Sequence, residues 1–227
     1  MTSSIDREAQ AIVANLKKII PPKIDGKQAI LKMKNEGSRN WRQMEWIGFW
    51  FEHLVANELS KKIAVSVGPT IGNTTFDLSL NYVWDLKAHP ESQPDKPMIL
   101  NDCEAVETCI TNHSGFGFVV VVGHAEFDET GHFKAWHDAL KGGRSKYEVK
   151  RISRGAQSRR RKREFSPTRI DAVFIPDAAT LRRGLDEGWL GYFQKGMRNS
   201  NGTARRSKYQ IALHKAPSEI FVARIKL

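Results

Sequence analysis

The chain contains few cysteines and no long apolar run. Only two of its 227 residues are cysteines, Cys103 and Cys109, which is too few for a disulfide scaffold or a zinc cage. No stretch approaches the roughly 18 apolar residues that a membrane-spanning helix needs. The first ten residues include acidic side chains and lack the apolar segment of a signal peptide. We therefore expect no membrane partner and a cytoplasmic location.

Negative charge is scarce in residues 144–227, which hold 21 basic and seven acidic side chains. The sequence has 36 Lys and Arg against 25 Asp and Glu, a net charge of +11, and residues 144–170 alone hold 11 basic and two acidic side chains. The run Arg159–Arg163 contains no acid, and crowding of like charges costs free energy unless a polyanion relieves it. This stretch has few large apolar residues, which argues against a membrane surface. Nucleic acid is the predicted partner.

The apolar content excludes a wholly disordered chain, because 40% of the residues are hydrophobic. The length fits one domain. Predicted strands and helices alternate along the chain, which indicates an α/β fold with a central mixed β-sheet flanked by helices. Residues 116–123 form a continuous apolar run and predict a central strand. The pattern also predicts long helices over residues 39–60 and 178–197, and strands over residues 62–67, 76–80 and 82–88.

Two aspartates and a lysine fall on the last two of these predicted strands. Asp77 lies on the first, and alternation places Asp85 and Lys87 on one face of the second. Unpaired charge in such an apolar segment is costly, whereas Mg²⁺-assisted hydrolysis of a phosphodiester requires this set of groups. The aspartates would hold Mg²⁺ with the Leu86 carbonyl as a further ligand, and Lys87 would orient water or stabilise phosphate charge. The alternative is a pair of strands with solvated edge charges.

The spacing Asp77–x7–Asp85–x–Lys87 resembles the PD-(D/E)xK nuclease motif, except that Phe76 replaces the proline. The resemblance implies a restriction-endonuclease-like fold. In that family an acid on an upstream helix often joins the metal site, and Glu52 matches this position as a catalytic and metal-binding residue. Glu45 is the second choice, because a seven-residue spacing places the two glutamates near one face of a single helix.

The size of the chain and the order of its parts resemble a type II restriction endonuclease. The runs WRQMEW at 41–46, DLKAH at 85–89 and NSNG at 199–202 carry this similarity. It implies a homodimer in a prokaryotic cell that cuts double-stranded DNA at a short palindrome, with a weak similarity to enzymes of CG-rich sites. Residues 1–143 would then form the catalytic core with its N-terminal helices, and residues 144–227 a basic DNA-recognition part of the same domain.

The candidate recognition residues mix types that read bases with types that hold phosphates. They are Ser153, Arg154, Gln157, Arg159 and Arg161, with Arg205 and Arg206 as second choices. For each residue taken alone, contact with solvent or with the nucleic-acid backbone explains its presence at least as well as base recognition does. Met44 and Glu45 are further DNA-binding candidates. Met44 would act as a wedge between base steps, although a methionine next to Trp46 more often fills a core.

Two other functions remain compatible with the sequence. A structure-specific DNA repair nuclease or Holliday-junction resolvase would use the same catalytic residues. A non-catalytic, basic DNA- or RNA-binding module would carry the acids for structural reasons only.

Overall fold

A computed structural model describes residues 3–91, 96–144, 146–157, 160–199 and 202–227, without the side chain of Tyr147. It has a mixed α/β architecture in which helices flank a curled, mixed central sheet. The helices are α1 (Ser4–Ile19), α2 (Gly26–Asn35), α3 (Trp46–Leu54), α4 (Cys103–Asn112), α5 (His132–Leu140), α6 (Lys146–Ser153) and α7 (Ala178–Asp186). The strands are β1 (Ile24–Asp25), β2 (Thr70–Ile71), β3 (Thr74–Thr75), β4 (Leu78–Ser79), β5 (Val83–Pro90), β6 (Met98–Asp102), β7 (Phe116–Phe127), β8 (Lys162–Ile175), β9 (Leu190–Phe193), β10 (Lys208–Ile211) and β11 (Phe221–Lys226).

The central sheet has the strand order β1-β8-β7-β5-β4, and β11 also pairs with β8. Among the described strands of this sheet, β5 and β7 pair in parallel and the other pairs are antiparallel, so the sheet is mixed, as predicted. The predicted apolar strand over residues 116–123 is confirmed as the start of β7, which lies between β5 and β8. Its side chains are buried on both faces because layers cover the sheet on either side.

Two hydrophobic clusters hold these layers together. On one face, side chains of α1, α2, α3 and α5 pack against Val119 and Val121. On the other face, α4, α7 and a three-stranded sheet of order β6-β10-β9 pack against Val120 and Val122. Among the described residues, no helix is both long enough and apolar enough to span a membrane.

The turn between β4 and β5 is anchored to α1 by one buried carboxylate. Glu8, only 6% exposed, accepts hydrogen bonds from the Asn81 backbone (3.0 Å) and side chain (2.8 Å), the Tyr82 backbone (3.2 Å) and Trp84 Nε1 (2.8 Å). The Trp84 indole lies over Gly117 of β7, its register partner, and a Cβ on that glycine would overlap the ring. These contacts fix the position of β5 in the sheet.

Three predicted elements are wrong. Residues 39–60 form a 3₁₀ helix (Arg39–Arg42), a break, α3 and a π-helix (Val55–Leu59). The break is stabilised by tertiary bonds, because Trp46 Nε1 donates to the Lys162 carbonyl. Residues 62–67 form no strand beyond an isolated bridge from Ser66 to Ser79. The predicted helix over 178–197 stops at Asp186, and the chain turns at Gly188 (φ 76°) into β9.

Candidate active site

The predicted catalytic residues meet at an open edge of the central sheet. Strand β4 pairs with β5 at Val83 and Trp84, and β5 continues beyond this short neighbour to Pro90. Beyond the end of β4, the Leu86 backbone N–H donates to Asp77 Oδ2 at 2.7 Å. The Asp77 side chain thus takes the place of a backbone acceptor from a neighbouring strand. The N–H and C=O of a strand residue point to the same side, and the Leu86 carbonyl therefore faces this edge too. The prediction that Asp77 lies on a strand is wrong, because β4 begins one residue later, at Leu78.

Asp85 and Lys87 share one face of β5, as their alternation predicts. Asp85 is only 3% exposed, and Lys87 Nζ donates to Asp85 Oδ2. The same amine donates to Asn101 Oδ1 of β6 at 3.0 Å. Sequence reasoning missed Asn101, because no strand was predicted there, although the segment MILND has an apolar start. The amine is therefore held by the acid of its own site and by one amide.

Buried charge dominates the electrostatics of this cluster. Burial raises the pKa of Asp77 to about 8, assisted by the charges of Asp85 and Glu52 and by a side-chain hydrogen bond with Asp85, against the Leu86 N–H. Burial also raises the pKa of Glu52 to about 7, with Lys87 opposing and Asp85 adding to the shift. Burial disfavours the charged Lys87 amine, but the surrounding carboxylates outweigh it and its pKa is raised. The cluster thus contains three acidic side chains and one ammonium.

This imbalance allows a test of whether the residues fit Mg²⁺. With all three acids ionised, the cluster carries two net negative charges. Either protons on the acids or one divalent cation would neutralise them. Carboxylate and carbonyl oxygens are the ligands that Mg²⁺ prefers, and Mg²⁺ commonly binds through one or two carboxylates with water and substrate phosphate. Within the described ranges, no group of three or more His, Cys, Asp or Glu side chains converges to hold a metal alone. The Asp77–Asp85 pair with the Leu86 carbonyl fits this sparse type of site.

A cleft of about 500 Å³ opens next to the cluster. Glu52 and Gly48 line it from α3, and Lys87 and His89 line it from β5. A Cβ on Gly48 would meet no atom within 4 Å, so the glycine faces open space. A second, more apolar cavity of about 380 Å³ contains Asp77, and Glu52 also lines it. Glu52 therefore lies on the wall between the two openings, and Asp77 faces the second of them.

The break before α3 separates the two candidate glutamates. Glu52 lies in α3 and interacts with Lys87 and Asp85. Glu45 precedes the helix at its N-cap position and pairs with Lys162 of β8, so the prediction that both lie near one face of a single helix is wrong. Glu45 still lines the cleft. Met44 is half-buried and belongs to neither hydrophobic cluster, and it lines a separate cavity near Arg161.

The candidate recognition residues do not share one environment. Arg161 is buried, at 5% exposure, directly before β8. Arg205 donates to Asn199 at 3.2 Å, and Arg206 lies 3.5 Å from Asp102 of β6, the neighbour of Asn101. Arg159 lies outside the described residues. The remaining candidates are exposed at or just beyond the end of α6, namely Ser153, Arg154 and Gln157.

Comparison with known proteins identifies no family for this chain. No protein-family model matches the chain, and neither a curated protein nor a solved structure is significantly similar to it.

Proposed function

We propose that this protein is a Mg²⁺-dependent endonuclease that hydrolyses phosphodiester bonds in double-stranded DNA. The proposal depends on one observation: Asp77, Asp85 and Lys87 meet at the free edge of β5, beside an open cleft. Buried charge in this number is costly for a fold. A phosphodiesterase uses the same groups to bind a cation and a phosphate.

Each residue would have a defined task. Asp77 and Asp85 would hold Mg²⁺ together with the Leu86 carbonyl, and Glu52 would approach the same cation from α3. When bound, Mg²⁺ would supply Lewis-acid stabilisation of the charge that develops on the scissile phosphate. Lys87 lines the cleft, and its ammonium would orient the attacking water or stabilise phosphate charge. Asn101 would position this amine, since it accepts a hydrogen bond from it.

The basic second half supplies the binding surface in this proposal. The exposed Arg154, Arg205 and Arg206 would neutralise backbone phosphates, and some of these groups would read guanine edges. A type II restriction endonuclease, acting as a homodimer on a palindromic site, is the specific form we propose. In such a dimer each subunit cuts one strand. Light scattering of the purified protein, alone and with DNA, measures whether the dimer forms.

Cleavage of plasmid and phage DNA tests the function. We expect Mg²⁺-dependent cutting into discrete fragments, whereas EDTA abolishes it. Cutting only at branched DNA would identify a structure-specific repair nuclease or junction resolvase instead. A protein that binds DNA but cuts no substrate with any divalent cation would be a non-catalytic module, and the enzyme proposal would be wrong.

A pair of variants separates chemistry from folding. Lys87→Ala should lower the cleavage rate by about 10²- to 10³-fold, because it removes a group aimed at developing charge, while DNA affinity changes little. The control is Lys61→Ala, which removes an exposed lysine paired with Glu58 and should leave the rate unchanged. Thermal unfolding of both variants checks that they are folded. Equal cleavage by the two variants contradicts the role of Lys87.

A further inference from the structure

A third cavity, of about 430 Å³, lies beside the cleft. It is lined by the segment between the 3₁₀ helix and α3, by the end of α5 with its Gly142–Gly143 turn, by α6, and by Arg161. The two glycines have positive φ values of 84° and 119° and end α5 with backbone bonds, of which Gly143 N–H to the Asp138 carbonyl is 2.8 Å. The cavity wall is therefore built by regular elements and a hydrogen-bonded turn.

Arg161 is the unusual residue of this cavity. Its side chain is buried, at 5% exposure, and its main-chain carbonyl is fixed by the Asp128 N–H at 2.8 Å. Within the part of the chain that the structure describes, its Nε and Nη1 atoms have no hydrogen-bond partner. Buried donors of a charged group without an acceptor are strongly unfavourable. An acceptor bound in the cavity would remove this deficit.

The carboxylates of the cavity are already engaged by other cations. Asp138 contacts Lys134 at 2.9 Å and Lys141 at 2.9 Å. Glu148 contacts Lys134 at 3.1 Å and Arg151 at 2.8 Å. Neither acid forms a hydrogen bond with Nε or Nη1 of Arg161. Among the described residues, neither these two acids nor any other group supplies the missing acceptor, and a bound anion would supply it.

The charge of the lining indicates which acceptor fits. Four cationic side chains line the cavity against the two engaged carboxylates: Arg42, Lys141, Arg144 and Arg161. An anion is favoured in this field. A guanidinium presents a rigid fork of donors that matches the oxygens of a phosphate. A phosphate group is therefore the ligand class that satisfies both the charge and the orphaned donors.

The cavity is next to the proposed catalytic cleft. Met44 and Arg161 line the cavity, and the residues that follow them in the chain, Glu45 and Lys162, line the cleft. Glu45 and Lys162 pair with each other and form the partition between the two spaces. A polynucleotide with one phosphate in the cleft would therefore have a further part of its backbone near the cavity.

We propose that the cavity around Arg161 is a phosphate-binding site, and that it holds a backbone phosphate of the DNA that enters the cleft. The phosphate site itself is carried by Arg161 and its surroundings. The assignment of the phosphate to DNA rests on the proposed nuclease function.

Binding of inorganic phosphate tests the site without any cleavage. We expect phosphate to raise the unfolding temperature of the wild type and of Arg183→Met. The latter is a control for charge loss, because Arg183 pairs with Glu219 at an exposed position on α7. Arg161→Met should bind phosphate about 10- to 100-fold more weakly, the loss expected for hydrogen bonds to a charged group. Without phosphate it should be no less stable than the wild type, since the buried charge is removed.

A second arm identifies the source of the phosphate. Duplex DNA is titrated without divalent metal into Lys87→Ala, with and without Arg161→Met. A loss of DNA affinity by about 10- to 100-fold alongside the loss of phosphate binding supports the backbone assignment. Loss of phosphate binding alone supports a site for free phosphate or a mononucleotide and overturns the backbone assignment.

Four results separate a failure of the phosphate site from a failure of the nuclease proposal. A wild type that does not respond to phosphate, or an Arg161→Met variant that responds like the wild type, overturns the site. If Arg161→Met does not fold, Arg161→Lys replaces it, and unchanged phosphate affinity in that variant overturns the role of the guanidinium fork. Arg161-dependent phosphate binding in a protein that cuts no DNA supports the site while the nuclease proposal fails.

Discussion

Removal of the Glu8 carboxylate should loosen the strand that carries Asp85 and Lys87. Glu8 lies in α1, far from the cleft in sequence, yet it accepts four hydrogen bonds from the β4–β5 turn and from Trp84. The exposed Asn81 and half-buried Tyr82 can exchange their bonds for water, but the Trp84 indole is fully buried and cannot. Most of the effect of Glu8→Ala should therefore come from the indole N–H.

The magnitude follows from this difference. A hydrogen bond to a charged group contributes about 1.5–3 kcal/mol, and a buried donor without a partner adds a desolvation penalty of about 1–3 kcal/mol. Release of the buried carboxylate offsets part of this. We expect Glu8→Ala to lower the free energy of unfolding by about 3 kcal/mol. Glu8→Gln keeps one acceptor oxygen and should lower it by about 1 kcal/mol.

Urea unfolding of four proteins measures the interaction directly. Wild type, Glu8→Ala, Trp84→Phe and the double variant form a cycle, and the coupling energy between the two sites should exceed about 1 kcal/mol. Glu8→Ala should also cut DNA at least about tenfold more slowly, since small misplacements of reacting groups are costly, while its DNA affinity stays near that of the wild type. A coupling energy near zero, or full cleavage activity in Glu8→Ala, would refute the argument.

Three further predictions concern the cleft, the core and the basic surface. Gly48→Ala should stabilise α3 by up to about 1 kcal/mol, because the added Cβ meets no atom. It should slow cleavage, because the substrate backbone would occupy the same space in the cleft. Unchanged or faster cleavage would contradict the assignment of the cleft. Burial lowers the pKa of His137 to about 4, against its bond with the Trp41 carbonyl. Between about pH 6.5 and 4, His137 is protonated in the unfolded chain but stays neutral in the folded protein. The free energy of unfolding should therefore fall as the pH drops through this range. The unfolding midpoint of His137→Phe should change less with pH over this range than that of the wild type. An equal pH dependence in the two proteins would refute the role of His137. Arg154→Gln should reduce the slope of log affinity for DNA against log salt by about 1, whereas Arg183→Gln should not; fluorescence anisotropy at several salt concentrations measures both.

The arrangement of Asp77, Asp85 and Lys87 was largely predictable because it depends on local rules. Strand alternation placed Asp85 and Lys87 on one face, and a short turn brought Asp77 to them. The apolar run of β7 identified the central strand for the same reason. These features need only the period of the side chains and the position of turn residues.

The rest depended on contacts between distant segments. The break before α3, which separates Glu45 from Glu52, is supported by the bond from Trp46 to the Lys162 carbonyl, 116 residues away. The helical spacing of Leu181, Leu185 and Trp189 continued past Asp186, yet Gly188 and the pairing of β9 with β10 overrode it. The burial of Arg161 and the role of Asn101 likewise follow from tertiary neighbours, which no local pattern contains.

The contact between Gly117 and Trp84 has a consequence for how this protein tolerates change. A methyl group at position 117 would displace the indole, and the indole is tied through Glu8 to the turn beside Asp77. In a saturation mutagenesis experiment, a position with no functional side chain should therefore be as intolerant as the acids themselves. Selection for activity would keep glycine at position 117. Second-site suppressors of Gly117→Ala should replace Trp84 with a smaller side chain.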